Sequence, residues 1–376
     1  MFSSYHLLTP ILPLYLSQVR GFHGETVGLI MAGLMIASML ARPWIGFQCD
    51  HGSKTHLMRW GVLLLLLANA GYPFSHDFYS LIGLRVIHGV AYALIYTGTA
   101  SYLVEHLPPE HKAEGLSHYG NAIKLAMAFS PAVGIWLTTQ GTPFLEIGCL
   151  LACLLTLLCA VSIWQVTPDP VGPLPPVRTR DFIANLLNKD ALFPGLIMAL
   201  ASLAFGALMP YIPLLSLEKH LTETHWFYTL YAASLITSRW FTGPISDTYG
   251  RASVLIPGLA MVALSLLLIA SANSTILFLV ATVMYGLAAG TVQPSLMAMA
   301  ADKNQPETQG SAMATFTLFN DIGIAGGMFV MATLGDLHGY VYALQWIAAG
   351  VGFAWLLLCI HTWQQTRKIS IKTSVT

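Results

Sequence analysis

Charge is scarce in this sequence. Only 9% of the 376 residues are Asp, Glu, Lys or Arg, against 55% hydrophobic, whereas soluble domains carry roughly 25% charged residues. A water-facing surface cannot be built from so few charges, so lipid has to cover most of the outside. The two signs balance at 17 residues each, which excludes the basic footprint of a nucleic-acid binder. Cysteine is sparse as well. Cys49, Cys149, Cys153, Cys159 and Cys359 lie in or beside apolar stretches, lack metal or disulfide spacing, and read as packing residues. The nucleotide, zinc-protease and serine-hydrolase motifs are missing, and the 13 histidines lack ligand spacing. The chain is therefore expected not to be an enzyme, to need no cofactor or metal, and not to be an ATP-driven pump.

Long apolar runs are what it has. A bilayer span needs about 20 mostly apolar residues, and reading in that unit predicts twelve: 2–19, 25–47, 58–74, 79–104, 115–138, 145–166, 191–214, 225–245, 253–271, 276–299, 309–334 and 341–362. The first contains Pro10 and Pro13, lacks a basic lead-in, and reads as a retained span rather than a cleaved signal. Met1 stands almost at its start, so the tail before it is expected to be dispensable or the start codon late. Residues 167–190 are proline-rich and carry six charges, which marks a linker between six-helix halves at 1–166 and 191–362, with a tail at 363–376 and a short interfacial helix at 181–188. If both termini and the linker are cytoplasmic, that side holds eleven lysines and arginines and the other only Arg20 and Lys219. The bias orients both ends inward.

The sequence also repeats itself. Arg42, Gly46, Asp50 and Gly61 recur 197 residues later as Arg239, Gly243, Asp247 and Gly258. His88-Gly89-Val90-Ala91 recurs at the same offset as Tyr285-Gly286-Leu287-Ala288, and the Pro10/Pro13 pair resembles Pro210/Pro213. Related halves facing each other across a membrane are the usual architecture of a secondary transporter. A channel does not call for such a repeat with paired loops.

The repeated loops resemble the signature loop of the major facilitator superfamily, G-x-x-x-D-[RK]-x-G-[RK]. The second copy, Gly243 to Arg251 with Asp247 and Gly250, departs only at Thr248. The first, Gly46, Asp50, His51, Gly52 and Lys54, is one residue short. Arg85-Val-Ile-His-Gly89 resembles the family's R-x-x-x-G element, and Ser130-Pro131-Ala-Val-Gly134 is a weak form of its antiporter element. The resemblance implies an all-α membrane protein of twelve transmembrane helices in two six-helix, pseudo-symmetric bundles. It further implies a proton-coupled transporter in a bacterial inner membrane that binds a small solute, touches the bilayer, ignores nucleic acid and acts as a monomer. In the loops, Gly46 and Gly243 are expected to let helices approach closely, and Gly52 and Gly250 to allow a tight turn. Asp50 and Asp247 sit near helix ends as a cytoplasmic latch.

Charges inside spans are costly unless they face water or a partner. Arg42 and Arg239 lie near cytoplasmic ends and are expected to snorkel or pair with the loop aspartates. Arg85 and Lys124 are deeper and cationic, which points to a solute carrying carboxylate or phosphate, such as a metabolite or siderophore. Tyr92, Asn121 and Asn320 are further candidates for solute contact; Tyr15, Tyr96 and Tyr119 are polar tips of the same kind. Asp321, the one acidic residue deep in a span, and His88 are the candidates for proton coupling. The competing readings are a multidrug proton antiporter and a transporter-like sensor.

Overall fold

The computed structural model describes residues 1–51, 53–106, 112–139, 143–168, 188–221, 223, 225–302 and 309–373; within these, the side chains of Asp50, Asn121, Lys124, Arg239 and Asp247 are among those not described. The expected interfacial helix at 181–188 falls outside them save for Asn188. The described residues form no strand. They form twelve α-helices: α1 Phe2–Leu14, prolonged by a π-helical turn Tyr15–Val19, α2 Gly24–His51, α3 Lys54–Gly71, α4 Phe78–His106, α5 Lys112–Thr139, α6 Phe144–Gln165, α7 Lys189–Glu218, α8 Trp226–Tyr249, α9 Arg251–Ser271, α10 Thr275–Ala301, α11 Gln309–His338 and α12 Tyr340–Thr373. Nine of them are long and apolar enough to cross a bilayer. The other three are α1, which is short and holds Pro10 and Pro13 within it, α5 and α8. Helix α12 runs on through most of the expected tail.

Local chemistry sets the helix ends. Asn188 Oδ1 accepts from the Asp190 and Ala191 amides at 3.0 and 3.2 Å and starts α7. Ser53 and Ser274 cap α3 and α10 in the same way. Gly250 joins α8 to α9 at φ +86°, ψ 159°, a conformation open essentially to glycine alone. The turn expected there is present, while Gly52 lies outside the described residues.

The repeat is geometric as well as textual. The starts of α3, α4 and α5, at 54, 78 and 112, recur 197 residues later in α9, α10 and α11, at 251, 275 and 309. The neighbours of a β-carbon at Gly61 would be Ile95, Leu94 and the Ala91 carbonyl; at Gly258 they would be Val292, Thr291 and the Ala288 carbonyl, the same set moved by 197. Likewise Gly89 packs on the Leu34 carbonyl and Gly286 on the Tyr231 carbonyl. At Gly46 no described atom lies within 4 Å of where a β-carbon would be. Close approach is made elsewhere. Gly206, Gly323 and Gly327 seat α7 and α11 backbone against backbone, at the Ile324, Ala199 and Leu203 carbonyls.

Exposed tryptophans mark two levels of the molecule. Trp44, Trp60, Trp164 and Trp363 lie toward the side that carries both termini, and Trp136, Trp226 and Trp346 toward the far side. Such belts form at the two water–lipid boundaries. At the far side the halves touch: Gly24 and Gly28 of α2 press on Ala332 of α11, and His23 lies 3.9 Å from Asp336.

Candidate functional site: the cavity between the halves

Between the halves lies a cavity of about 330 Å³. The same registers line it on both sides of the repeat: Tyr5 and Ser202, Tyr92 and Ala289, Tyr96 and Gln293, Ile123 and Asn320 are each 197 residues apart. Its surface is mainly aromatic and thioether. Tyr92 and Tyr96 stack at 5.8 Å and Tyr5 sits 5.1 Å from Tyr92; opposite them Tyr231 and Tyr285 stack at 5.1 Å, with Phe205 beside them. Met35, Met127, Met198 and Met297 complete the apolar wall. Such a surface grips flat or apolar parts of a small molecule without strict geometry.

The charges in it form one network. Arg42 of α2 makes an ion pair with Asp321 of α11, joining the two halves. The Arg42 guanidinium also lies over the Tyr96 ring at 5.7 Å, and its Nε is buried without an acceptor among the described residues. Asp321 is 4% exposed. Ser202 Oγ donates to Asn320 Oδ1 at 2.8 Å, and Asn320 Nδ2 reaches Asp321 Oδ1 at 3.4 Å, which aims the carboxylate. A paired charge of this kind avoids most of the cost of standing at membrane depth.

Several expectations change here. Arg42 does not pair with a loop aspartate. It lies nine residues before the end of α2 and reaches inward instead. Arg85 is absent from the cavity wall. It is buried between α4 and α2, where Nε donates to the Ile30 carbonyl at 3.1 Å and Nη2 to the Met31 carbonyl at 3.2 Å. His88 is also outside the wall, with Nδ1 3.0 Å from the Tyr72 hydroxyl and its ring 6.0 Å from Tyr5. Tyr92, Asn320 and Asp321 do line the cavity. Tyr15 sits at the far end of α1, accepting from Arg20 Nε at 2.7 Å; Tyr119 donates to the Tyr96 carbonyl. Arg251 bridges from α9 to Asp302 at 3.0 Å and to Ser246 at 3.1 Å. The side chains of Asn121, Lys124, Arg239, Asp50 and Asp247, and the surroundings of Gly243, lie outside the described residues. Sequence reasoning missed His6, Ser202, Tyr231, Tyr285 and Gln293. The 197-residue offset from Tyr96 was the available signal for Gln293, while Tyr5, the counterpart of Ser202, was missed as well.

The sequence profile of the Major Facilitator Superfamily matches twice, over residues 1–199 and 195–373. The staphylopine export protein of Staphylococcus aureus is 25% identical over 90% of this chain and 87% of its own length. A multi-drug resistance efflux pump PmrA homolog from Lactococcus lactis is 24% identical over 91% of this chain and 87% of its own. In fold, a mutant form of the nucleoside transporter NupG superposes with a TM-score of 0.78, at 12% identity, over 96% of this chain and 97% of that one. With two matched halves, a membrane-spanning helical fold and a cavity between the halves, the chain belongs to the Major Facilitator Superfamily of transporters.

Proposed function

We propose that the chain is a proton-driven exporter of a small, carboxylate-bearing organic solute, exposing the cavity alternately to the two sides of a bacterial inner membrane while both termini stay cytoplasmic. The observation that carries this reading is the Arg42–Asp321 ion pair, which ties the halves together inside the cavity. A solute with a cationic group and a carboxylate replaces both partners at once, its cation on Asp321 and its carboxylate on Arg42, whose spare Nε donor is already in place. A proton on Asp321 removes the site for the cation. Proton and solute then compete for one carboxylate, and such exclusion couples their movement in opposite directions. The driving force is about 2.3 kcal/mol per charge per 100 mV, plus any pH difference. Export is favoured by the names of two relatives, an export protein and an efflux pump homolog.

The test is flux in proteoliposomes with an imposed pH gradient, using amino-carboxylates as the solute panel. Uptake into vesicles acidic inside is expected to collapse when the gradient is dissipated and to become gradient-independent in Asp321→Asn. Flux indifferent to the gradient in the unmodified protein rejects the proposal.

A second reading, broad efflux of lipophilic compounds, is supported by the aromatic and methionine wall. It predicts transport of lipophilic cations that survives Arg42→Gln, whereas carboxylate export does not.

A further inference from the structure

Arg59 stands apart from Arg20, Arg42, Arg85 and Arg251. Arg42 is paired with Asp321, Arg251 with Asp302, and Arg85 with two backbone carbonyls. Arg20 reaches the Tyr15 hydroxyl and His76. Arg59, in the second turn of α3, has neither an ion pair nor a hydrogen bond among the described residues, and its Nε is enclosed without an acceptor. What holds it is Trp164 of α6, whose ring centre lies 5.6 Å from the guanidinium carbon. A tryptophan face steadies a guanidinium and leaves its fork of N–H donors free.

The helices packed on α3 carry their acids elsewhere. Helix α3 itself has none, and Glu146, the one acid of α6, lies at the opposite end of that helix. On α4, Gly98 already meets Lys54 and Met58, and Glu105 follows about two turns later, past the start of α3. Those of α2, Glu25 and Asp50, stand near its two ends.

The setting is a lipid one. Arg59 lies at the level of the exposed Trp60 and Trp164, the water–lipid boundary on the side that carries both termini. Toward the membrane centre the outward faces of both helices turn apolar, with Leu63 and Leu67 exposed on α3 and Leu157 and Val161 exposed on α6. A guanidinium fork matches a phosphate bidentately, and basic pockets between spanning helices receive anionic head groups.

We infer that Arg59, backed by Trp164 and flanked by Trp60, binds one anionic phospholipid, with the phosphate on the guanidinium and the acyl chains along the α3–α6 seam. This lipid bridges two helices on the outside of the first half. Neither Arg59 nor Trp164 lines the cavity, so the site is separate from solute binding and stands whether or not proton-driven export does.

The test counts bound lipids. The purified full chain in detergent is titrated with palmitoyl-oleoyl phosphatidylglycerol and, separately, with palmitoyl-oleoyl phosphatidylcholine, and the adducts are resolved by native mass spectrometry. The first phosphatidylglycerol is expected to bind severalfold more tightly than the first phosphatidylcholine, and Arg59→Gln to remove that preference. Arg367→Gln is the control, because Arg367 is exposed and sits over Trp363 within its own helix. It loses the same charge and should leave the preference as it was. Equal binding of the two lipids by the unmodified protein, a preference that survives Arg59→Gln, or an equal loss in Arg367→Gln overturns the inference. If Arg59→Gln fails to fold, Trp164→Leu takes its place, with the same expected and refuting outcomes.

Discussion

Arg42 and Asp321 bond across the interface of the two halves, inside the cavity, while the carboxylate is steadied by Asn320 and Ser202. Removing one partner leaves the other buried without its counter-charge. Asp321→Asn is therefore expected to cost about 3 kcal/mol, the low end for a buried pair because Arg42 is 21% exposed on its side chain. Adding Arg42→Gln should recover much of that stability without restoring proton-dependent flux. Thermal unfolding of the single and double variants measures the coupling; additive losses would mean that the pair does not interact.

The same geometry separates Ser202 from a simple packing residue. Ser202→Ala leaves Asn320 Oδ1 without its donor, so the Asn320 amide is free to turn away from Asp321. The expected result is a shifted pH dependence of flux with little change in melting temperature. A changed melting temperature with an unmoved pH profile would assign Ser202 to packing alone.

Arg85 was a solute-binding candidate from sequence, and its surroundings assign it another task. It donates to the Ile30 and Met31 carbonyls and so fastens α4 to α2. Arg85→Ala removes both of these bonds and the packing of a buried side chain, while the two carbonyls keep their partners within α2, and a loss of about 1–3 kcal/mol is expected. Solute affinity in the protein that remains folded should be unchanged, as measured by ligand-induced thermal shift. Loss of affinity at undiminished stability would return Arg85 to the site.

These residues show where sequence reading ends. The helices and the duplication were legible because most apolar runs have bilayer length and because the 197-residue offset survives at Gly61 and Gly258, which face the same neighbours in the two halves. Asp321 was legible as an acid alone in an apolar run. Depth along a helix can be counted, but the direction a side chain takes cannot. Arg42 and Arg85 both read as intramembrane cations, yet one turns to the cavity and the other to a neighbouring backbone. Tyr231 and Tyr285 were hidden for a related reason: a tyrosine on a cavity wall and one packed between helices have the same sequence signature.

Asp77 offers a pH test outside the membrane-spanning segments. It directly precedes α4, where Oδ2 accepts from the Ser80 amide and Oδ1 from the Ser80 hydroxyl, both at 2.9 Å. These bonds hold the carboxyl below its usual range. A lowered folded-state value means that the stabilisation is present above the unfolded-state value and is lost as pH falls through the folded one. Amide exchange at Ser80 is expected to be slow near neutrality and to rise below about pH 4 beyond its intrinsic pH dependence. In Asp77→Ala it should be fast throughout that range. Equal protection in both proteins at neutral pH would remove the cap.

Gly28 decides whether the far side can close. Its missing side chain lets α2 rest on Ala332 and Phe329 of α11, and Gly24 does the same one turn earlier. A leucine side chain does not fit that contact, and the backbone on the α11 side has no room to retreat without moving the half to which it belongs. Gly28→Leu is therefore expected to hold the halves apart at the far side while leaving the Arg42–Asp321 pair intact. The substitution Ala332→Cys reports on this: labelling by a membrane-impermeant reagent from the far side should rise severalfold in Gly28→Leu, and solute flux should fall. Unchanged labelling would mean that the contact yields locally and that closure of the far side is governed elsewhere.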